Sequence, residues 1–99
     1  MKTENNLSWL LEWYHNQCDE DWEHGNGIKI GTMDNPGWYL KININGTELE
    51  NKQFEIVDIN NSENDWVYCS IKDDLFQGFC GPLNLPEVIQ IFCKWIEYK

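Results

Sequence analysis

The sequence predicts an α+β two-layer domain: an antiparallel sheet of about four strands in a meander, with a candidate short fifth, and an N-terminal and a C-terminal helix on one face. Three observations carry this expectation. Apolar residues recur at helical spacing only at the two ends, period-two alternation fills the middle, and the turn signals between alternating runs are short enough for hairpins. The chain has 99 residues, enough for one core and not for two, so residues 1–99 are expected to form a single domain. Six Trp, four Tyr and four Phe within a hydrophobic content of 41% give that core ample material, which argues against disorder.

From Leu7 to about Gln17, residues Leu7, Leu10, Leu11 and Tyr14 recur at helical spacing, and Trp9 and Trp13 add a second stripe. Asn6 is the expected N-cap, and Glu12 and His15 fall on the polar side. An acid run followed by Gly25 and Gly27 ends this helix near Cys18. Ile28, Ile30 and Thr32 then alternate with Lys29, Gly31 and Met33. Beyond Asp34-Asn35-Pro36-Gly37, residues Trp38, Leu40, Ile42 and Ile44 alternate with Tyr39, Lys41 and Asn43. The two runs form a hairpin, since Pro presets φ and Gly tolerates positive φ in the turn. Asn45-Gly46 is a second turn signal.

Phe54 to Ile59 changes parity between Ile56 and Val57, so a bulge or a strand buried on both faces is expected there. Asn60 to Asp65 is a polar turn cluster. Trp66 to Lys72 is the fourth strand, with Val67, Cys69 and Ile71 on one face and Trp66, Tyr68 and Ser70 on the other. Phe76 to Cys80 is the candidate fifth, a short edge strand before Gly81-Pro82. Pro86 suits a first helical turn, and Val88, Ile89, Phe92, Trp95 and Ile96 keep helical spacing as far as Tyr98.

Seventeen acids face seven basic residues, all Lys, for a net charge of −10. Such a surface repels phosphate backbones and anionic lipid, so no nucleic acid and no membrane is expected as partner, and a basic protein is. The absence of Arg removes the usual bidentate phosphate clamp. Cys18, Cys69, Cys80 and Cys93 stand singly, without the paired spacing of a metal knuckle or the density of a disulfide scaffold. Met1 to Asn6 lacks the apolar centre of a signal peptide, and no apolar run approaches the roughly 18 residues that span a bilayer. The expected location is the cytoplasm.

Cys18 to His24 packs four acids, a thiol, an imidazole and an indole into seven positions. Cys18, His24 and the acids have ligand chemistry, with His15 within reach, but a zinc site needs a second ligand cluster that the chain lacks. Asp19-x-Asp21-x-Glu23 lacks the glycine and the distant Glu of a calcium loop. A Cys18 thiolate beside three acids would be destabilised, and no nucleophilic triad or phosphate loop exists. No metal, cofactor or catalytic residue is therefore expected.

Two surfaces remain as partner-binding candidates. One is the loop with Asp19, Glu20, Asp21, Trp22, Glu23 and His24. Its bland reading is a solvated acid run with Trp22 as a core anchor. The other is the sheet face opposite the helices, with Tyr39, Lys41, Trp66 and Tyr68 and, beside them, Lys29 and Met33, whose bland reading is cross-strand packing.

The run Trp13-Tyr14-x-x-Gln17-Cys18-Asp19-x-Asp21-Trp22-Glu23-His24, then Gly27-Ile28-x-Ile30-x-Thr32 and Asp34-Asn35-Pro36-Gly37-Trp38, resembles the signature of the immunity protein 53 family of bacterial polymorphic toxin systems. The resemblance continues through Asp65-Trp66 and Phe76-x-Gly78 to Phe92 and Trp95. Glu20 stands where that signature is expected to have Gly, and Asn26 where it is expected to have an aromatic. The resemblance implies a protein that binds and neutralises a toxin delivered by sibling cells. With the charge it points to a non-enzymatic, stoichiometric inhibitor of a basic toxin such as a nuclease. The alternatives are a small metal- or thiol-dependent enzyme, and an acidic binding module with another partner.

Overall fold

The computed structural model describes residues 6–97; Met1–Asn5 and Tyr98, which entered the readings of the leader and of the closing helix, lie outside them. The elements follow in the order α1 (Asn6–Gln17), α2 (Trp22–Gly25), β1 (Ile28–Met33), β2 (Gly37–Asn43), β3 (Val57–Ser62), β4 (Asp65–Lys72), β5 (Leu75–Cys80) and α3 (Leu85–Glu97). This is the expected α+β arrangement. The five strands form one antiparallel sheet in the order β1-β2-β5-β4-β3.

The fifth strand is therefore central, not at the edge. It forms a hairpin with β4 through Asp73 and Asp74, at φ 54° and 61°, the positive values a two-residue type I′ turn requires. Its other side pairs with β2 from Trp38↔Cys80 to Asn43↔Leu75. Phe76, Gly78 and Cys80 are buried on the helix side, which is what a central strand needs.

Residues 44–56 carry the chain from β2 past two strands to the far edge, and α3 fastens them. Trp95 Nε1 donates to the Gln53 carbonyl at 2.7 Å, and Lys52 Nζ donates to the Trp95 carbonyl at 2.8 Å. A cation on the last carbonyls of a helix also suits its dipole. The third strand begins only at Val57. Phe54 instead lies edge-on to Phe76 and Trp95, at 5.5 and 5.2 Å between centroids, and Ile56 is exposed. Asn60 to Ser62 belong to β3, and the register shift falls between Asn60 and Ser62. An edge strand with solvent beside it tolerates these polar residues and the bulge, which also discourages further pairing.

Helix α3 covers the sheet, packing on β2, β4 and β5, while α1 packs chiefly against α3. Phe92 is fully buried and meets Trp13 edge-on at 5.1 Å and Phe76 at 5.0 Å. Because α1 rests on one neighbouring helix, its buried stripe is narrower than expected. Leu10 and Trp13 are buried, Trp9 and Tyr14 flank them, and Leu7 and Leu11 remain exposed. The cap expected of Asn6 is not made, and its Oδ1 has no partner among the described residues. At the start of α3, Asn84 is buried and ties the helix to β4. Its side chain donates to Asp65 and Glu87 and accepts from the Trp66 N–H. No described helix is long and apolar enough to cross a membrane.

Gly78 sets the distance between α3 and the sheet, since a Cβ there would collide with Val88 Cγ1. Gly78→Ala is expected to lower unfolding stability by about 1–3 kcal/mol in urea titration, through overpacking. Combining it with Val88→Ala should lose less than the two single changes added together; strict additivity would contradict the proposed contact.

Candidate functional site

Helix α1 ends at Gln17, and the next six residues are organised by their own carboxylates. Asp19 Oδ1 accepts from the N–H groups of Asp21 and Trp22 at 3.0 and 2.9 Å. Glu23 reaches back and accepts from Asp19 and Glu20 N–H at 3.0 and 2.8 Å. Carboxylates thus satisfy the N–H groups of Asp21 and Trp22, where α2 starts, and of Asp19 and Glu20 just before it, although the N-cap residue Asp21 makes no side-chain cap bond of its own. The same backbone donors hold the Asp19 carboxyl below its ordinary pKa, led by the bond from Trp22. Two of the four acids thus have a structural use. Glu20 and Asp21 are exposed, and Glu20 holds a left-handed φ of 77°.

Trp22 turns inward and is 7% exposed. Its ring lies edge-on to Trp13 at 6.1 Å and tilted against Tyr14 at 5.8 Å, and its Nε1 donates to the Asn45 carbonyl at 2.9 Å. It is the anchor of the loop. His24 is exposed beside it.

That anchor brings distant acids together. Trp13 Nε1 donates to Glu48 at 3.1 Å, Gly46 N–H reaches Glu50 at 3.3 Å, and Ile44 N–H reaches the Asp74 carbonyl at 2.9 Å. The strand register puts residues 27–28, 43–44 and 72–75 at one end of the sheet. Asp19, Glu20, Asp21, Glu23, Glu48, Glu50, Asp73 and Asp74 therefore gather at that end. Only the first four form a run in the sequence. The others sit in separate connections, and topology alone unites them.

The open sheet face is arranged in cross-strand rows. Tyr39, Phe79 and Tyr68 are consecutive partners across β2, β5 and β4, with Gly31 and Asp58 at the two ends of the row. Tyr39 lies across Gly31, where a Cβ would strike its ring. Phe79 is not legible as a member of this surface from the sequence, since its place in the row depends on β5 being central. Trp66 opposes Asn60 in the next row and is half-buried, while Tyr68 is 36% exposed. The acidic loop and the aromatic row are separate surfaces. A groove between them is lined by His24, Lys29, Tyr39, Lys41 and Asn43.

Three of the four thiols, Cys69, Cys80 and Cys93, are buried, and all four are free. Burial pushes Cys69 up to about 12 and raises Cys80 and Cys93 as well, which keeps them protonated and inert. Cys18 is half-buried and donates to the Tyr14 carbonyl at 3.4 Å. Among the described residues no three His, Cys, Asp or Glu side chains are grouped to hold a metal ion.

Two substitutions separate anchoring from surface roles. Trp22→Ala is expected to cost about 3–5 kcal/mol, as truncation of a buried aromatic does. Glu20→Gly should add roughly 0.5–1 kcal/mol by relieving a left-handed side-chain residue. Both are read by denaturant unfolding; a neutral Trp22→Ala would place the indole in solvent and contradict the anchor.

The family model of immunity protein 53 matches residues 7–97, from the first turn of α1 to the end of α3. No curated protein and no solved structure matches the chain. The matched span contains the braced acidic loop, the buried Trp22 and the whole sheet. A toxin-neutralising role accompanies that family, and with it a cognate toxin as partner. The chain belongs to the immunity protein 53 family.

Proposed function

We propose that this protein neutralises one cognate toxin by stoichiometric, non-covalent binding in the cytoplasm, and that the toxin is basic, a nuclease being the class that fits. The family match over residues 7–97 carries the reading. The gathering of eight of the 17 acids at one end of the sheet supports the finer statement. Carboxylates clustered on exposed turns repel one another in the free protein. A cationic partner relieves that repulsion, and its approach is accelerated by long-range attraction.

Within this end, Glu20 and Asp21 are the carboxylates best placed to meet Lys or Arg, and Asp73 and Asp74 widen the contact. Asp19 and Glu23 hold the loop in shape, Trp22 holds it down, and His24 borders it. Tyr39, Trp66 and Tyr68 supply apolar area on the adjoining face. Four free cysteines agree with a reducing compartment.

The test is co-expression with the toxin domain encoded beside this chain, followed by binding kinetics on the purified pair. Growth should be restored and a one-to-one complex recovered. Association should slow by roughly tenfold or more as salt rises from about 0.01 to 0.5 M, because the Debye length falls from about 30 Å to a few ångströms. Absence of both protection and a complex would refute the inhibitor reading, and a salt-independent rate would refute the steering by acidity.

A further inference from the structure

We infer that the groove between the acidic end and the aromatic row is a second contact for the same toxin, one that takes a carboxylate-bearing segment of it. The inference rests on the toxin-neutralising reading and deepens it, adding Lys29 and Lys41, which that reading does not use. Lys29 of β1 and Lys41 of β2 are direct cross-strand partners. Like charges so placed destabilise a sheet. The usual relief is a neighbouring carboxylate, and this chain has 17 acids from which to draw one. Yet neither ammonium has a carboxylate at ion-pair distance among the described residues; Lys41 Nζ instead sits 5.3 Å over the Tyr39 ring.

The two lysines line a groove of about 670 Å³ together with Tyr39, Asn43, His24 and the backbone at Gly25 and Gly27. Neither glycine has any neighbouring atom within 4 Å of where a Cβ would stand, so the wall there is open to an incoming chain. Cβ atoms of opposed residues lie about 5 Å apart, so both ammonium groups can converge on one anionic group. Tyr39 and Asn43 add neutral hydrogen-bonding groups at the same place.

Charge decides between occupants. A nucleic acid strand would place successive phosphates beside Asp73, Asp74 and the Asp19 loop, where repulsion opposes it. One acidic segment entering between two lysines avoids that conflict. The toxin surface is then required to be basic opposite the acidic end and acidic opposite the groove, which sets the orientation of docking.

The experiment measures affinity for the catalytically inactive toxin domain encoded beside this chain, by calorimetry, with melting curves on each variant. Lys29→Gln with Lys41→Gln should weaken binding roughly tenfold or more, while the melting temperature holds or rises as the like-charge pair is relieved. Lys94→Gln on α3 should bind as the parent does, and Lys29→Arg with Lys41→Arg should stay within about threefold, since charge is retained. Should the glutamine pair lower the melting temperature, Lys41→Gln alone is read in the same way. Long-range attraction makes the opposite forecast, because a chain more negative than −10 should bind a basic toxin equally or more tightly. That outcome would overturn the groove and leave the inhibitor reading standing. Failure of the parent itself to bind would overturn both. Binding of a dodecathymidylate by the parent that disappears in the glutamine pair would overturn the acidic-segment occupant.

Discussion

The Trp22 indole leaves a run of four carboxylates to enter the core between Trp13 and Tyr14, and its N–H closes on the Asn45 carbonyl. Three segments are joined by that one side chain: α1, the acidic loop and the connection after β2. Desolvating a large aromatic ring supplies several kcal/mol, enough to offset holding like charges close together on a solvated turn. Without it the loop would be held by hydrogen bonds alone, those to the Asp19 and Glu23 carboxylates and those from His24 and Asn26 to the Asp21 and Trp22 carbonyls, which are partly or fully exposed and individually weak. The acidic end is thus a surface feature whose position is determined in the core.

Segregation of charge follows from the same topology. Connections at one end of the sheet carry Asp19 to Glu23, Glu48, Glu50, Asp73 and Asp74, while Lys29 and Lys41 face each other on the open side. A fold selected for stability alone would interleave these charges. Here eight acids crowd one end of the sheet, with Lys72 beside them, and two lysines oppose each other on the open face, an arrangement that costs the free protein stability.

Much of the fold is legible in the sequence. Both terminal helices, the first hairpin and the two-sided pattern of β4 follow from periodicity, because each has solvent on one side and core on the other. The central position of β5 was not legible. Its turn is Asp73-Asp74, which lacks the Gly or Asn that normally announces a type I′ hairpin, and its pairing with β2 is a long-range choice. The start of β3 was misplaced because Phe54 is apolar for packing on α3 rather than for strand alternation. The first four acids of the charged end were visible as a run; the rest, like the opposition of Lys29 and Lys41, exist only once register is known.

Hydrogen exchange on the free protein and on its complex with the toxin domain tests the central claim most directly, because it reads every segment at once. Slowed exchange should concentrate in residues 18–27, 44–51 and 72–75, the three connections that form the acidic end. Protection confined to the outer faces of α1 and α3, around Leu7 and Leu11, with those connections exchanging as in the free protein, would contradict it.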